Sequence, residues 1–362
     1  MEGIRTAVLF SAGLVVLLAG PVLAQDARAL REGCLTQLQT ADVENVPDEA
    51  LAQCEKAVSA YPEDGELLAV VAAANLAGGD SWRAEELARA AAKLGDLKAK
   101  SLLGLMYMTG NGVARDYSQA RAWLQDAAEA GDPEAQNMMG TLYEYGWGVA
   151  RDGNEAARWY RRAAELGLAE AQANFGTLYL NSRIGTADYE KAKRWLNLGA
   201  EQGDTKAQVN LAHLYRSGLG VDVDFGEALR WLRTAASQGD SAAQVNLGGM
   251  YLDGEGVERD PVEATKWFRL AAGQGDPQGQ NNLGALYLQG LGVERDLTLA
   301  LRWIQKSAVG GNADGQNNLG QLYEKGLGLP QSDEFALKWY GRAAEQGHAA
   351  AADNLSRLEE SL

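Results

Sequence analysis

The stretch from Gln280 to Asp296 reads QNNLGALYLQGLGVERD, and closely similar stretches begin at Gln208, Gln244 and Gln316. From Gln208 onward, each begins 36 residues after the one before it. A fixed period of roughly 20 to 50 residues indicates a solenoid, in which each unit buries its apolar face only by stacking on its neighbours. The sequence therefore predicts a repeat protein whose function lies on a repeated surface.

Two aromatic positions carry the same period through seven complete units, which run from Leu97 to His348. The tryptophans are Trp123, Trp159, Trp195, Trp231, Trp267, Trp303 and Trp339, and the tyrosines are Tyr107, Tyr143, Tyr179, Tyr215, Tyr251, Tyr287 and Tyr323. Within a unit, apolar residues recur at helical spacing in two stretches that glycines separate. Each unit is therefore predicted to form two antiparallel helices, helix A with the tyrosine and helix B with the tryptophan.

Written out, a unit reads A-Q-x-N-L-G-x-L-Y-x-x-G-x-G-V-x-x-D-x-x-x-A-x-x-W-x-x-x-A-A-x-x-G-D. Over residues 97–348 this pattern resembles the Sel-one-like repeat family, a relative of the tetratricopeptide repeat. The resemblance implies an all-α, right-handed superhelical solenoid of antiparallel helix pairs. It also implies that a concave face lined by the A helices docks protein partners, commonly in adaptors or regulators and often in the bacterial envelope.

The segments that flank the seven units are predicted to cap the solenoid. The stretch from Arg83 to Asp96 matches helix B behind an incomplete helix A, so residues 61–96 are predicted to be a degenerate capping repeat. Residues 25–60 are predicted to form a helical hairpin. Residues 349–362 start an eighth helix A, and its charged face suits the exposed end of a solenoid.

The first 24 residues are predicted to be a secretory signal peptide. A short charged start is followed by an apolar stretch, with small residues at Val22 and Ala24 where an exporting peptidase requires them. Cleavage after Ala24 would give a periplasmic or secreted protein without membrane insertion. The alternative is an uncleaved N-terminal membrane anchor from Thr6 to Ala24.

The chain has two cysteines, Cys34 and Cys54, both in the predicted hairpin. They lie ten residues either side of Glu44, near the middle of the turn, so an antiparallel hairpin would bring them level. Because export permits a disulfide, we predict that the two cysteines form one. Two buried free thiols are the alternative, and a metal pair is disfavoured because both histidines lie far away in the sequence.

Enzyme signatures are absent from the sequence, which has no G-x-x-x-x-G-K, H-E-x-x-H, G-x-S-x-G or S-x-x-K motif. Nucleic acid is disfavoured as a partner because the formal net charge is -16 and no basic run is present. We therefore predict no catalytic, metal or cofactor site. A cysteine-rich branch of the resembled family is linked to β-lactam binding or hydrolysis, but its cysteine pairs are missing from these seven units.

A ladder of asparagines is the candidate binding surface. Each asparagine lies immediately before the core Leu or Phe of helix A: Asn174, Asn210, Asn246, Asn282, Asn318 and Asn354. An amide both donates and accepts hydrogen bonds, which suits pairing with the backbone of an extended peptide, and tetratricopeptide relatives use asparagines in this manner. The alternative is that each asparagine ties its helix to the next unit.

Specificity would come from variable positions near the ladder. These are Thr141, Thr177, His213 and Gln321 on helix A. The loop residue Trp147 would either anchor a partner or fold back onto its own helix pair.

The hypothesis from sequence is an exported, non-enzymatic scaffold that binds protein or peptide partners on its concave face. Its role would be that of a regulator or assembly adaptor in the bacterial envelope. The alternative is a cell-wall-directed enzyme or glycan binder, including one with β-lactamase-like activity. The acidic surface without a clustered carboxylate pair favours the scaffold, and the sequence specifies neither the partner nor the oligomeric state.

Overall fold

The computed structural model describes residues 21–40 and 46–361, and these residues form nineteen α-helices and no β-strand. The first four helices are α1 (Pro21–Thr40), α2 (Asp48–Ala60), α3 (Gly65–Ala77) and α4 (Ser81–Lys93). The helices of the seven units are α5 (Leu97–Thr109), α6 (Tyr117–Glu129), α7 (Pro133–Tyr145), α8 (Gly153–Glu165), α9 (Ala169–Leu180), α10 (Tyr189–Glu201), α11 (Thr205–Ser217), α12 (Phe225–Ser237), α13 (Ser241–Asp253), α14 (Pro261–Gly273), α15 (Pro277–Gln289), α16 (Leu297–Val309), α17 (Ala313–Lys325) and α18 (Asp333–Glu345). The last described helix is α19 (Ala349–Ser361). The predicted all-α fold of paired helices is confirmed.

The chain falls into two compact units, divided between Ala163 and Ala164. The first unit contains α1 to α7 and most of α8, and the second contains α9 to α19. Within each unit, consecutive helices pack against each other, and A helices of neighbouring repeats also touch, as α3 touches α5 and α11 touches α13. The A helices of a unit therefore share one surface, called here the A-helix face.

The same backbone contacts delimit each helix pair. The repeated aspartate caps the start of helix B, and its backbone N–H donates to the carbonyl of the helix A tyrosine, as Asp260 does to Tyr251 at 2.8 Å. Helix A ends at a glycine with a positive φ, such as Gly254 at 77°. In the third repeat Ser182 stands at this position with φ 55°, a left-handed conformation that is unfavourable for a residue with a Cβ.

Small residues in helix A allow helix B to approach closely. A Cβ added to Gly248 would lie 2.6 Å from a ring carbon of Phe268, so only glycine fits at this crossing. The residue after each tryptophan is a large side chain buried in the core, and Phe268 is 1% exposed. Of the seven repeat tryptophans, Trp159 and Trp231 are buried and the other five are half-buried. The core therefore lies between the two helices of a pair, with the tryptophans at its margin.

A disulfide between Cys34 and Cys54 joins α1 to α2, with the two Cα atoms 5.0 Å apart. The predicted disulfide is thereby confirmed, and both cysteines belong to the core of the first unit. A disulfide suits an oxidising compartment, where thiols are not kept reduced.

The predicted signal peptide is not tested by the structure. Residues 1–20 lie outside the described residues, and the predicted cleavage site after Ala24 falls within the first turns of α1, which begins at Pro21. Among the helices of the described segments, none is long and apolar enough to cross a membrane.

Candidate binding surface

The six asparagines of the predicted ladder lie on the A-helix face of the second unit, but they differ in their hydrogen bonds. Three of them donate to the preceding A helix: Asn210 Nδ2 to Thr177 Oγ1 at 2.9 Å, Asn318 Nδ2 to Asn281 Oδ1 at 2.8 Å, and Asn354 Nδ2 to Asn317 Oδ1 at 3.0 Å. A fourth, Asn174, accepts from Lys206 Nζ of the following A helix at 2.7 Å. These four asparagines therefore join neighbouring helices.

Asn246 and Asn282 bond only within their own helices. Asn246 Nδ2 donates to the carbonyl of Ala242 at 2.9 Å, and Asn282 Oδ1 accepts from Gln278 Nε2 at 3.0 Å. Asn246 Oδ1 and Asn282 Nδ2 have no hydrogen-bond partner among the described residues. One acceptor and one donor thus remain available on this part of the A-helix face.

The residue in the preceding repeat explains why these two asparagines differ. Asn318 bonds to Asn281, which stands one repeat and one residue earlier. The corresponding residues are Val209 for Asn246 and Val245 for Asn282, and a valine side chain cannot accept a hydrogen bond. Neither asparagine has a threonine at the position of Thr177, which accepts from Asn210; His213 and Gly249 stand there instead. Each of the two amides therefore forms one hydrogen bond within its own helix, and its second polar group, Oδ1 of Asn246 or Nδ2 of Asn282, stays unpaired.

A cleft of about 200 Å³ lies beside Asn246. Its lining residues are Val209, Asn210, Ala212, His213, Arg216, Leu232 and Asn246. The Arg216 guanidinium is held by Glu255, with Nε 2.5 Å from Oε2 and Nη2 3.2 Å from Oε1. The imidazole of His213 is exposed, and one repeat later Gly249 leaves open space, because an added Cβ would meet nothing within 4 Å. The face is thus recessed around α11 and α13.

The predicted specificity residues are divided between the two units. Thr141 belongs to the first unit, whereas Thr177, His213 and Gln321 belong to the second. The hydroxyl of Thr141 lies 3.0 Å from that of Tyr160, and that of Thr177 is bonded to Asn210, so both hydroxyls are engaged within the fold. His213 and the half-buried Gln321 remain on the surface.

Trp147 stacks on two tyrosines of the first unit. Its ring centroid lies 5.2 Å from that of Tyr117 and 4.9 Å from that of Tyr145, with interplanar angles of 16° and 23°. The indole is 36% exposed. The stacking favours the interpretation that Trp147 packs onto its own helix pair and its neighbour over the interpretation that it projects freely to anchor a partner.

Buried tyrosines bind carboxylates on helix A in both units. Tyr340 Oη donates to Glu324 Oε2 at 2.7 Å, and burial raises the pKa of Tyr340 so that it stays protonated. A hydrogen bond from Arg357 holds the pKa of Glu324 below its usual value. Since the folded-state pKa is lowered, the Glu324 carboxylate stabilises the fold at pH values above the ordinary glutamate pKa, and this contribution is lost as the pH falls through the folded-state pKa. In the first unit Tyr160 donates to Glu144 at 2.8 Å in the same way.

Sequence reasoning missed a row of buried glutamines that joins consecutive repeats. Gln208 is 1% exposed, donates from Nε2 to the carbonyl of Ala200 at 3.1 Å, and accepts from Gln238 Nε2 at 3.1 Å. The bond to Ala200 reaches the preceding repeat, whereas the pairing with Gln238 lies within one repeat and recurs between Gln172 and Gln202, Gln244 and Gln274, and Gln316 and Gln346. The signal was the glutamine that precedes five of the six ladder asparagines by two residues with the same period.

Replacing Gln208 by leucine is expected to lower the free energy of unfolding by about 1–3 kcal/mol, because the carbonyl of Ala200 and the amide of Gln238 lose their partner. Urea unfolding followed by circular dichroism measures the loss. The matched control is Gln238→Leu, which removes only the bond between Gln238 and Gln208 from its exposed side, leaves the inter-repeat bond to Ala200 in place, and should cost less. An unchanged stability in Gln208→Leu, or an equal loss in the control, would contradict a structural role for the buried glutamine.

An all-helical chain whose helix pairs recur with the same caps and the same bonds between repeats is a helical repeat solenoid. Seven consecutive segments match the Sel1 repeat, namely residues 97–132, 133–168, 169–204, 205–240, 241–276, 277–312 and 313–348. The chain therefore belongs to the Sel1 repeat family. Members of this family generally bind other proteins as non-enzymatic scaffolds.

Two solved structures of this family are similar to the chain. One is c5321, a protective antigen present in uropathogenic Escherichia coli strains, with 35% identity, a TM-score of 0.62, and coverage of 88% of this chain and 68% of that chain. The other is a Sel1 repeat protein from Oxalobacter formigenes, with 33% identity, a TM-score of 0.60, and coverage of 67% of this chain and 96% of that chain. No curated protein sequence matches the chain.

Proposed function

We propose that this protein is an exported, non-enzymatic scaffold that binds an extended peptide segment of a partner protein on its A-helix face. Its role would be that of a regulator or assembly adaptor in the bacterial envelope. The main support is that Asn246 and Asn282 each keep one unpaired amide group, whereas the equivalent asparagines on this face form hydrogen bonds to a neighbouring helix. The buried disulfide and the apolar start of the sequence support export, and membership of the Sel1 repeat family supports a scaffold.

The two amides suit a peptide backbone. Asn246 offers Oδ1 as an acceptor and Asn282 offers Nδ2 as a donor, which complement the N–H and C=O groups of an extended chain. Such bonds are independent of the side chains of the peptide and would supply affinity rather than specificity. The cleft with His213 beside Asn246 would select a side chain, and Gly249 leaves room for the close approach of a backbone.

The double substitution Asn246→Ala with Asn282→Ala is expected to weaken partner binding by about 1–3 kcal/mol, because partner groups buried in the complex lose their hydrogen bonds. The melting temperature should change little, since neither asparagine bonds to another helix. A partner captured from envelope extract, with the exported protein as bait, would be titrated against both proteins by calorimetry.

The control for this experiment is Asn210→Ala with Asn318→Ala, which removes two bonds between neighbouring A helices. We expect this control to lower the melting temperature. Unchanged affinity in the Asn246 and Asn282 variant, together with a large loss of stability, would make these asparagines structural and would remove the basis of the proposal.

The competing function, a cell-wall-directed enzyme with β-lactamase-like activity, has a direct test. The described residues contain no group of three or more His, Cys, Asp or Glu side chains placed to hold a metal ion. We expect the purified protein to hydrolyse a chromogenic β-lactam no faster than a heat-inactivated sample does. Turnover above that background would reject the non-enzymatic scaffold.

A further inference from the structure

The A-helix face of the first unit contains an apolar cavity of about 300 Å³, bounded by α1, α3, α5 and α7. Its apolar lining residues are Leu38, Val46, Ala69, Val70, Ala73, Ala74, Leu102, Leu105 and Met138. Its polar lining residues are Lys98, Ser101 and Glu134. The cavity is open to solvent, as the 40% exposure of Leu105 indicates.

The cavity occupies helix positions that carry asparagines in the second unit. Met138 stands one repeat, and Leu102 two repeats, before Asn174. The same row of the A-helix face is therefore apolar in the first unit and amide-bearing in the second. Because an apolar wall cannot satisfy the hydrogen bonds of a peptide backbone, this part of the face favours an apolar side chain.

Lys98 gives the cavity a charge preference. Its ammonium group is exposed at the rim and has no anionic partner among the described residues. By contrast, Lys100 pairs with Asp126 at 3.0 Å, and the hydroxyl of Ser101 is bonded to Asp132 at 2.8 Å. Glu134, the one acidic lining residue, is already engaged within the chain. The unpaired Lys98 cation therefore complements an occupant that has an apolar body and an adjacent negative charge.

We propose that this cavity binds a bulky apolar side chain of a partner peptide, phenylalanine or leucine, next to an acidic residue that pairs with Lys98. The inference rests on the proposed function, because it takes the occupant to be a peptide segment of a partner protein and gives it a separate site on the A-helix face of the first unit. The size of the cavity, near the lower end of the range for small-ligand sites, suits a single large side chain. Burial of that side chain dominates affinity, and the exposed lysine mainly selects among peptides.

The test uses the full protein with its disulfide intact and with ¹³C-labelled methionine methyl groups, because Met138 lines the cavity. The probes are acetyl-Phe-Asp-amide, acetyl-Ala-Asp-amide, acetyl-Phe-Lys-amide and decanoate. We expect Phe-Asp to shift the Met138 methyl resonance at millimolar concentration, with roughly tenfold higher affinity than Ala-Asp and about threefold higher affinity than Phe-Lys. The methyl group of Met250, buried in the second unit, is the internal reference and should not move.

Two variants test whether the peptide binds in this cavity and whether Lys98 selects the acidic residue. Lys98→Glu should reverse the preference between Phe-Asp and Phe-Lys. Leu102→Lys should abolish the Met138 shift with little loss of stability, because Leu102 is only half-buried. A Phe-Asp shift that persists in Leu102→Lys would place the binding elsewhere and overturn the proposal.

The remaining outcomes separate this inference from the proposed function. If decanoate shifts the Met138 methyl and both phenylalanine peptides leave it unmoved, the cavity takes a free amphiphile and the proposal is overturned. If no probe shifts it, the proposal is also overturned, while the effect of Asn246→Ala with Asn282→Ala on the captured partner still decides the proposed function. A Phe-Asp shift that is unchanged in that double variant supports an independent cavity site.

Discussion

Gly292→Ala is expected to lower the free energy of unfolding of the second unit by about 2–5 kcal/mol. Gly292 lies in the loop after α15 with φ 70°, and a Cβ there would lie 2.2 Å from the carbonyl oxygen of Pro261. The substitution therefore combines an unfavourable backbone conformation with a clash against backbone that has no alternative rotamer. Because Pro261 begins α14 of the preceding repeat, the clash also separates two neighbouring repeats.

Two other glycines provide matched controls for this prediction. Gly311 has φ 89° but open space around an added Cβ, so Gly311→Ala should cost only the backbone term of about 1–2 kcal/mol. Gly249 is helical with open space, so Gly249→Ala should stabilise the protein by about 0.5–1 kcal/mol. Urea unfolding gives the three values, and any order other than Gly249→Ala most stable and Gly292→Ala least stable would refute the explanation.

Removal of the disulfide is expected to have the second large effect. Cys34→Ala with Cys54→Ala should lower the free energy of unfolding of the first unit by about 3 kcal/mol, because the bond joins residues 20 positions apart and restricts the unfolded chain. Denaturant unfolding of the exported protein measures this loss. The second unit has no cysteine, so its unfolding should be unaffected.

Reduction supplies the control for the cysteine variant. A reducing agent should destabilise the native protein by the same amount and leave the double alanine variant unchanged. A native protein that exposes two free thiols on denaturation without a reducing agent, or that keeps its full stability when fully reduced, would show that the bond is either absent or without effect.

The fold could be predicted from the sequence because its determinants are local and repeated. Asp260 at the start of helix B and Gly254 at the end of helix A act through the backbone of their own loop, so one repeat contains the information for its own boundaries. The equal distance of Cys34 and Cys54 from the predicted turn was likewise sufficient to predict their pairing. The beginning of α1 at Pro21 was not predicted, because the end of a signal sequence and the start of a helix have similar composition here.

The binding surface could be predicted only in outline. Periodicity identified the asparagines as one class, but the bonding of each depends on a residue in the preceding repeat: Asn318 meets Asn281, whereas Val209 precedes Asn246. The residue that faces each asparagine changes from repeat to repeat, so a template shared by all repeats does not show it. The cavity was missed because Leu102 and Met138 are departures from the asparagine pattern. Its remaining walls include Leu38, whose placement the repeat does not determine.

The buried glutamines also bear on how such a gene can change. In the second unit Gln172, Gln208, Gln244 and Gln316 each donate to a backbone carbonyl eight residues earlier, at the end of the preceding repeat, and a backbone carbonyl is present whatever that repeat's side chains are. Unequal recombination between two repeats of the gene would add or delete one 36-residue module and still join each buried glutamine to a compatible neighbour. The length of the surface presented to a partner is therefore a heritable variable that one genetic event can alter, without the compensating mutations that a globular domain would need.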